Sequence, residues 1–342
     1  MKKIFQNTLL LFVGLAVGLV LAEMVSHFFL PPAAIQKLPY LHMEADPFCG
    51  YKYVPNQKGY TLSSAVKVNK WGFRGPDWSK DKPQGVIRIA LLGDSYIFGQ
   101  GVGDQETAAS QLENMLNGEA PSGKRYEVLN FGMSGYDQGH EIESLKHYAL
   151  SFKPDMVFLC FFINDLFYIK DYGFYSEMLR IDESKFSIAE WNWRNLLRRC
   201  RLGMFLWDWL RSKNAVKYEV QEAIDAYVGR DILPPNGIKA DGWKFALDRV
   251  RDFKVLSERE KFKPFFIVVP TPEEIQNNRK SVYENYLLNE STKLGVESPD
   301  IFPVFKDVFP KSKLLIPYNY HLSGDGNRLL ADALRKEIRK AR

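Results

Sequence analysis

Residues Val86–Gly101 read VIRIALLGDSYIFGQG. Val86, Ile87, Ile89, Ala90, Leu91 and Leu92 form an apolar run that leads straight into Gly93-Asp94-Ser95. That is the pattern of a buried parallel strand delivering a serine hydroxyl to the edge of a sheet. Outward from it, Tyr126–Phe131, Asp155–Phe162 and Lys263–Pro270 predict three more strands, and Leu314–Pro317 predicts a short fifth. Helical spacing is predicted over Glu106–Leu116, Gln138–Leu150, Gly242–Arg259 and Gly326–Arg339. Strands alternating with helices over this length predict a doubly wound α/β sheet.

Composition narrows the function classes. With 342 residues, 46% hydrophobic and 25% charged, the chain has the make-up of a folded globular protein. A net charge of +5, with acidic residues spread throughout, gives no compact basic patch of the kind a dedicated nucleic-acid binder needs. Cys49, Cys160 and Cys200 lie far apart without CxxC spacing, so neither a zinc site nor a disulfide framework is indicated. Gly99, Gly101 and Gly103 begin too far past the strand for a dinucleotide fingerprint, and Asp104 breaks the pattern. No cofactor and no metal are expected.

The N-terminus carries a location signal. Lys2 and Lys3 precede an uncharged run from Leu9 to Leu21, apolar character continues to Leu30 around Glu23 and His27, and Pro31-Pro32 ends it. Residues 1–30 therefore read as a transmembrane anchor, since about 20 residues suffice to cross a bilayer. The lysine bias puts the N-terminus in the cytoplasm and the rest outside, so the chain is expected to be single-pass with its main domain extracytoplasmic. A signal peptide cut near Ala22 is the alternative, and it too exports the main domain.

Residues 31–83 look like an irregular segment wrapping the core, with a short strand near Ala65–Val68. Its aromatic stretch Asn69–Pro76 reads first as a packed loop, with Arg74 held in reserve as a functional residue. The main domain is expected over 84–342. It is interrupted from about 166 to 241 by an insertion holding Trp191, Trp193, Trp207 and Trp209 and a basic face of Arg194, Arg198 and Arg201. The insertion reads as a lid, as a unit packing its own small core, or as a contact with the membrane surface.

In an open α/β sheet, ligands bind beyond the carboxyl ends of the strands. Ser95 follows the first strand, Gly132 and Gly135 the second, Asn164 and Asp165 the third, and His321 the fifth. A serine needs an adjacent general base to attack a carbonyl. His321 fits best, because His27 lies in the apolar segment, His42 in the wrapping segment, and His140 and His147 on a predicted helix. A tetrahedral intermediate needs preorganised donors, and the Ser95 N–H, the Gly135 N–H and the Asn164 amide are of the right kind.

The extended forms GDSYIFGQGV, NFGMSGY, FFINDL and YHLSGDGNRLLADAL, in this order at strand ends, resemble the SGNH or GDSL-like hydrolase superfamily. They are most similar to membrane-anchored or exported members associated with bacterial cell-surface polysaccharide. The resemblance implies a three-layer α/β/α flavodoxin-like fold with a five-stranded parallel sheet ordered 2-1-3-4-5. It also implies metal-independent ester hydrolysis or acyl transfer through an acyl-serine, with Ser95 as nucleophile, Gly135 and Asn164 as oxyanion donors and His321 as base. The substrate class implied is a small-molecule or polysaccharide ester. Two positions depart from the pattern. Tyr318 and Asn319 stand where an aspartate usually orients the histidine, leaving Asn319 as the candidate orienter. Phe162 replaces the usual glycine of the third block. An esterase is therefore expected, with an O-acetyltransferase or a catalytically weakened, membrane-tethered polysaccharide-binding or assembly protein as the alternatives.

Overall fold

The computed structural model describes residues 2–166, 199–213, 240–308, 310–319 and 321–341. The apolar N-terminal segment forms one helix, α1 (Lys2–Phe29), whose apolar side chains are exposed along its length. It is long and apolar enough to cross a membrane. Residues 31–83 are more regular than expected, with two antiparallel hairpins, β1 (Met43–Asp46) with β2 (Gly50–Tyr53) and β3 (Lys58–Thr61) with β4 (Ser64–Lys67).

The main sheet follows. Its strands are β5 (Val86–Leu92), β6 (Arg125–Asn130), β7 (Met156–Phe161) and β8 (Lys263–Val268), with α2 (Ser95–Phe98), α3 (Ala108–Gly118) and α4 (Gln138–His147) set between the first three. Between β7 and β8 the described helices are α5 (Arg201–Lys213) and α6 (Ala240–Glu260). After β8 come α7 (Pro272–Asn277), α8 (Val282–Lys293), α9 (Phe302–Lys306) and α10 (Gly324–Lys340). The pairings are all parallel and run β6-β5-β7-β8, which is the expected order as far as the fourth strand.

The expected fifth strand is absent among the described residues. Leu314–Pro317 instead closes a 3₁₀ turn (Lys311–Leu314), and Leu315 makes a single antiparallel bridge to Leu322. The segment bonds back onto its own loop, Ile316 N–H to the His321 carbonyl (3.0 Å) and Ser323 N–H to the Leu314 carbonyl (2.9 Å), and Pro317 has no N–H to give a ladder. Beyond β8, one parallel bridge joins Phe265 to Glu297.

Alternation along the strands sorts the core into two layers. Ile89 and Leu91 of β5 pack with Leu112 and Leu116 of α3 and Leu330, Leu334 and Ile338 of α10. Ala90 and Leu92 face the other side, with Ile142 and Leu145 of α4, Val250 and Phe253 of α6 and Leu287 of α8. β7 is buried at every position, as a central parallel strand should be. The hairpins join this second layer through Tyr51, Tyr53 and Val66. Trp191, Trp193, Arg194 and Arg198 of the expected insertion lie outside the described residues.

Candidate active site

Ser95 opens α2, a single turn at the carboxyl end of β5. Asp94 caps that turn, its Oδ1 accepting the Tyr96 N–H at 2.8 Å. Its Oδ2 accepts from Asn164 Nδ2 at 2.9 Å, which ties the end of β7 to the serine turn. Asn130, the last residue of β6, donates from Nδ2 to the Ile97 carbonyl at 2.9 Å and accepts the Gly132 N–H at 2.9 Å. A Cβ on Gly132 would stand 2.2 Å from the Phe98 nitrogen, so only glycine lets this loop lie against α2. Gly135 takes a left-handed φ of 83° in the same loop.

That loop is braced from outside by the first hairpin. The Tyr51 hydroxyl donates to the Ser134 carbonyl (2.9 Å), and the Tyr53 hydroxyl donates to Ser134 Oγ (3.0 Å). The second hairpin holds the turn after α2, with the Gly101 N–H on Thr61 Oγ1 (3.1 Å) and Ser64 Oγ donating to the Gly101 carbonyl (2.9 Å). Beneath, Arg74 is 1% exposed and donates to the carbonyls of Phe98, Gly99 and Val102 and to Asp104. The residue held in reserve is thus a staple for the C-terminal end of the serine turn. The same bonds explain the Gly99–Gly103 run as a structural turn.

His321 reaches Ser95 from the loop before α10. Its Nε2 lies 2.9 Å from Ser95 Oγ, and its Nδ1 lies 2.7 Å from Asn319 Oδ1. The orientation of Asn319 is fixed independently, because Oδ1 also accepts the His321 backbone N–H at 3.0 Å. An oxygen facing Nδ1 requires that nitrogen to carry the proton, which leaves Nε2 as the acceptor for the serine hydroxyl. The ring lies 5.2 Å from that of Tyr96, and Tyr96 stacks on Phe162 at 3.9 Å. Phe162 therefore extends an aromatic stack toward the imidazole, and its N–H donates to Asp165 Oδ2 at 2.9 Å.

Burial lowers the His321 pKa to about 4, so the imidazole is neutral, and able to accept a proton, at neutral pH. Burial also lifts Asp94 to about 6, and hydrogen bonds from the Tyr96 N–H and Asn164 oppose the rise. Asp165 and Glu141, buried nearby, are both pushed well above the usual carboxylate range, first by burial and then by neighbouring carboxylates, Asp94 and Asp137 acting on Glu141, and Glu141 and Asp94 on Asp165. Both Glu141 oxygens and Asp165 Oδ1 lack a hydrogen-bond partner among the described residues.

Ser95, His321, Asn319 and Asn164 thus join one bonded network, with Asp94 as the link to Asn164. Gly135 is carried on a loop pinned to both ends of the serine turn, through Met133 N–H to the Gly93 carbonyl (3.0 Å) and Ser134 Oγ to Gln100 Oε1 (3.3 Å). Asp94, Asn130 and Tyr96 were not singled out from the sequence. A polar residue ending an apolar strand, as Asn130 does, is the signal that could have found one of them. Three of the other four histidines have different partners: His140 caps α4 with Asp137 (2.8 Å), His147 stacks on Phe48 (3.7 Å) and His27 pairs with Glu23 (3.0 Å). Among the described residues no group of three or more His, Cys, Asp or Glu side chains is arranged to hold a metal.

No family model and no curated protein sequence matches the chain. Among solved structures it is similar to a lipase/acylhydrolase from Enterococcus faecalis (15% identity, TM-score 0.40, covering 75% of this chain and 96% of that one). It is also similar to the acetyl xylan esterase AlAXEase (14%, 0.45, 74% and 100%). A variant of an acetyl-xylooligosaccharide esterase from a Geobacillus gives 14% identity and a TM-score of 0.41, over 74% of this chain and 94% of that one. At these identities the chemistry of the site is read from its own atoms.

Proposed function

We propose that this chain is an SGNH-type serine esterase that removes O-acyl groups, acetyl foremost, from extracytoplasmic carbohydrate. The observation that carries the reading is the Ser95–His321–Asn319 relay, at 2.9 and 2.7 Å, with the tautomer set by Asn319. As Ser95 Oγ attacks the ester carbonyl, its proton passes to Nε2 of His321, and the imidazolium then gives that proton to the leaving alcohol. Water deprotonated by the same nitrogen releases the acid from the acyl-serine. The oxyanion is met by the Ser95 N–H, the Gly135 N–H and the Asn164 amide hydrogen that Asp94 leaves free.

Asn319 orients the ring without contributing charge, so the imidazolium is less stabilised than beside a carboxylate. Export is supported by α1, with Lys2 and Lys3 on the retained side and the domain beyond it.

The test is turnover of p-nitrophenyl acetate and labelling by a fluorophosphonate probe. The reading expects wild-type turnover and an adduct on Ser95, both lost in Ser95→Ala. Equal background rates in wild type, Ser95→Ala and His321→Ala, with no adduct, would sink it.

A further inference from the structure

Helix α5 makes its described contacts with the end of the apolar helix, through a reciprocal clasp. Glu23 of α1 accepts the Cys200 thiol (2.9 Å) and the backbone N–H groups of Arg201 (2.8 Å) and Leu202 (3.0 Å), capping the N-terminus of α5 with a carboxylate. In return the Arg201 guanidinium donates to the carbonyls of His27 and Leu30, both at 2.8 Å, closing the C-terminal end of α1. Arg201 is therefore committed to α1 rather than to the free basic face expected from the sequence. The clasp also accounts for an acidic residue in an otherwise apolar helix.

The outward side of α5 is apolar. Phe205, Leu206 and Leu210 are 43%, 45% and 51% exposed, and Trp209 falls on the same helical stripe, while Met204 on the opposite side is buried. A stripe of this kind needs a cover. Depth identifies it. The roughly 20 residues from Lys3 to Glu23 rise about 30 Å as a helix, the thickness of the hydrocarbon core of a bilayer. A span that starts at Lys3 thus ends at Glu23, the residue that holds α5.

We infer that α5 is an interfacial helix that lies in the outer leaflet surface, with Phe205, Leu206, Trp209 and Leu210 turned into lipid and Glu23 and Arg201 fixing its height. The partner is a lipid bilayer, and the inference rests on α1 spanning it. Burial first and the Asp208 charge second raise the Tyr318 pKa, with Arg201 opposing, which places α5 within electrostatic range of the histidine loop. The helix then holds the Ser95 site at the membrane surface, where an acylated substrate must come to it.

The full chain in lipid nanodiscs tests this, carrying Cys200→Ser, which keeps a donor to Glu23, and one spin label at a time. Leu206→Cys and Leu210→Cys alter exposed positions. Labels at both should collide with oxygen several-fold more often than with a water-soluble nickel complex, as should one at Leu15→Cys in α1. A label at Ser122→Cys, exposed on the far loop before β6, should show the reverse. Lipid contact at 15 with water contact at 206 and 210 would overturn the interfacial helix and leave the anchor standing. Water contact at all three would overturn both.

Discussion

Ser95 and His321 stand 2.9 Å apart on loops built in opposite ways. The serine turn is fixed from every side: Asp94 caps it, Asn130 binds its Ile97 carbonyl, Gly132 lies against its backbone and Arg74 gathers the carbonyls at its end. The histidine loop is held mostly by itself. Ile316 N–H reaches the His321 carbonyl (3.0 Å), Asn319 N–H the Ile316 carbonyl (3.0 Å) and Ser323 N–H the Leu314 carbonyl (2.9 Å). A nucleophile must meet its substrate at a set angle and profits from a rigid seat. In the proposed mechanism His321 needs the right tautomer and reach, and Asn319, in its own loop, supplies the tautomer.

The contrast can be broken at its centre first. If serine and histidine act as one unit, Ser95→Ala and His321→Ala should each cost on the order of 10⁶ in kcat, and the double variant should cost no more than either alone. Steady-state kinetics on p-nitrophenyl acetate decides this; losses that multiply would show two independent groups. On the rigid side, Asn164→Ala should lower kcat by roughly 10²–10³ with KM little changed, as expected for a donor used in the transition state.

Arg74→Met tests the brace without touching the reacting atoms. It strands three buried carbonyls and should lower stability by about 3 kcal/mol in urea melts, while the folded fraction keeps its kcat. A kcat that falls with stability unchanged would move Arg74 into the chemistry.

The histidine side gives smaller, more diagnostic effects. Because His321 is neutral above about 4, kcat/KM should rise with pH through that value and stay flat across neutrality. Asn319→Asp places a negative charge beside Nδ1, so the acid limb should move up toward the ordinary imidazole range and the neutral-pH rate should rise about tenfold. An acid limb already near the ordinary imidazole value in wild type would contradict the burial of His321.

The regions that were legible in the sequence are those where burial dictates residue type over several positions. β5, β7 and β8 are apolar at most positions because helices cover both sides, and Ser95, Asn164 and His321 stand in the segments that follow strands or precede the last helix. The hairpins of 43–67 were mostly missed, since four-residue strands with polar and aromatic residues carry little periodicity. The expected fifth strand failed because Leu314–Pro317 has the composition of a strand but packs as a turn, a choice that Pro317 and the bridge to Leu322 impose.

The sequence by itself determined the four parallel strands, the apolar helix ahead of them and the candidates for nucleophile, base and amide donor, while the strand order followed only from the family resemblance. Apolar runs and punctuating glycines depend only on near neighbours. The tertiary structure decided what Asn319 does, because its oxygen faces Nδ1 only once the loop folds and the His321 N–H holds it there. It also decided that Arg74 is a staple and that Glu23, some 180 residues from Arg201 in the chain, is its partner. Such contacts join residues distant in sequence, and no local pattern records them.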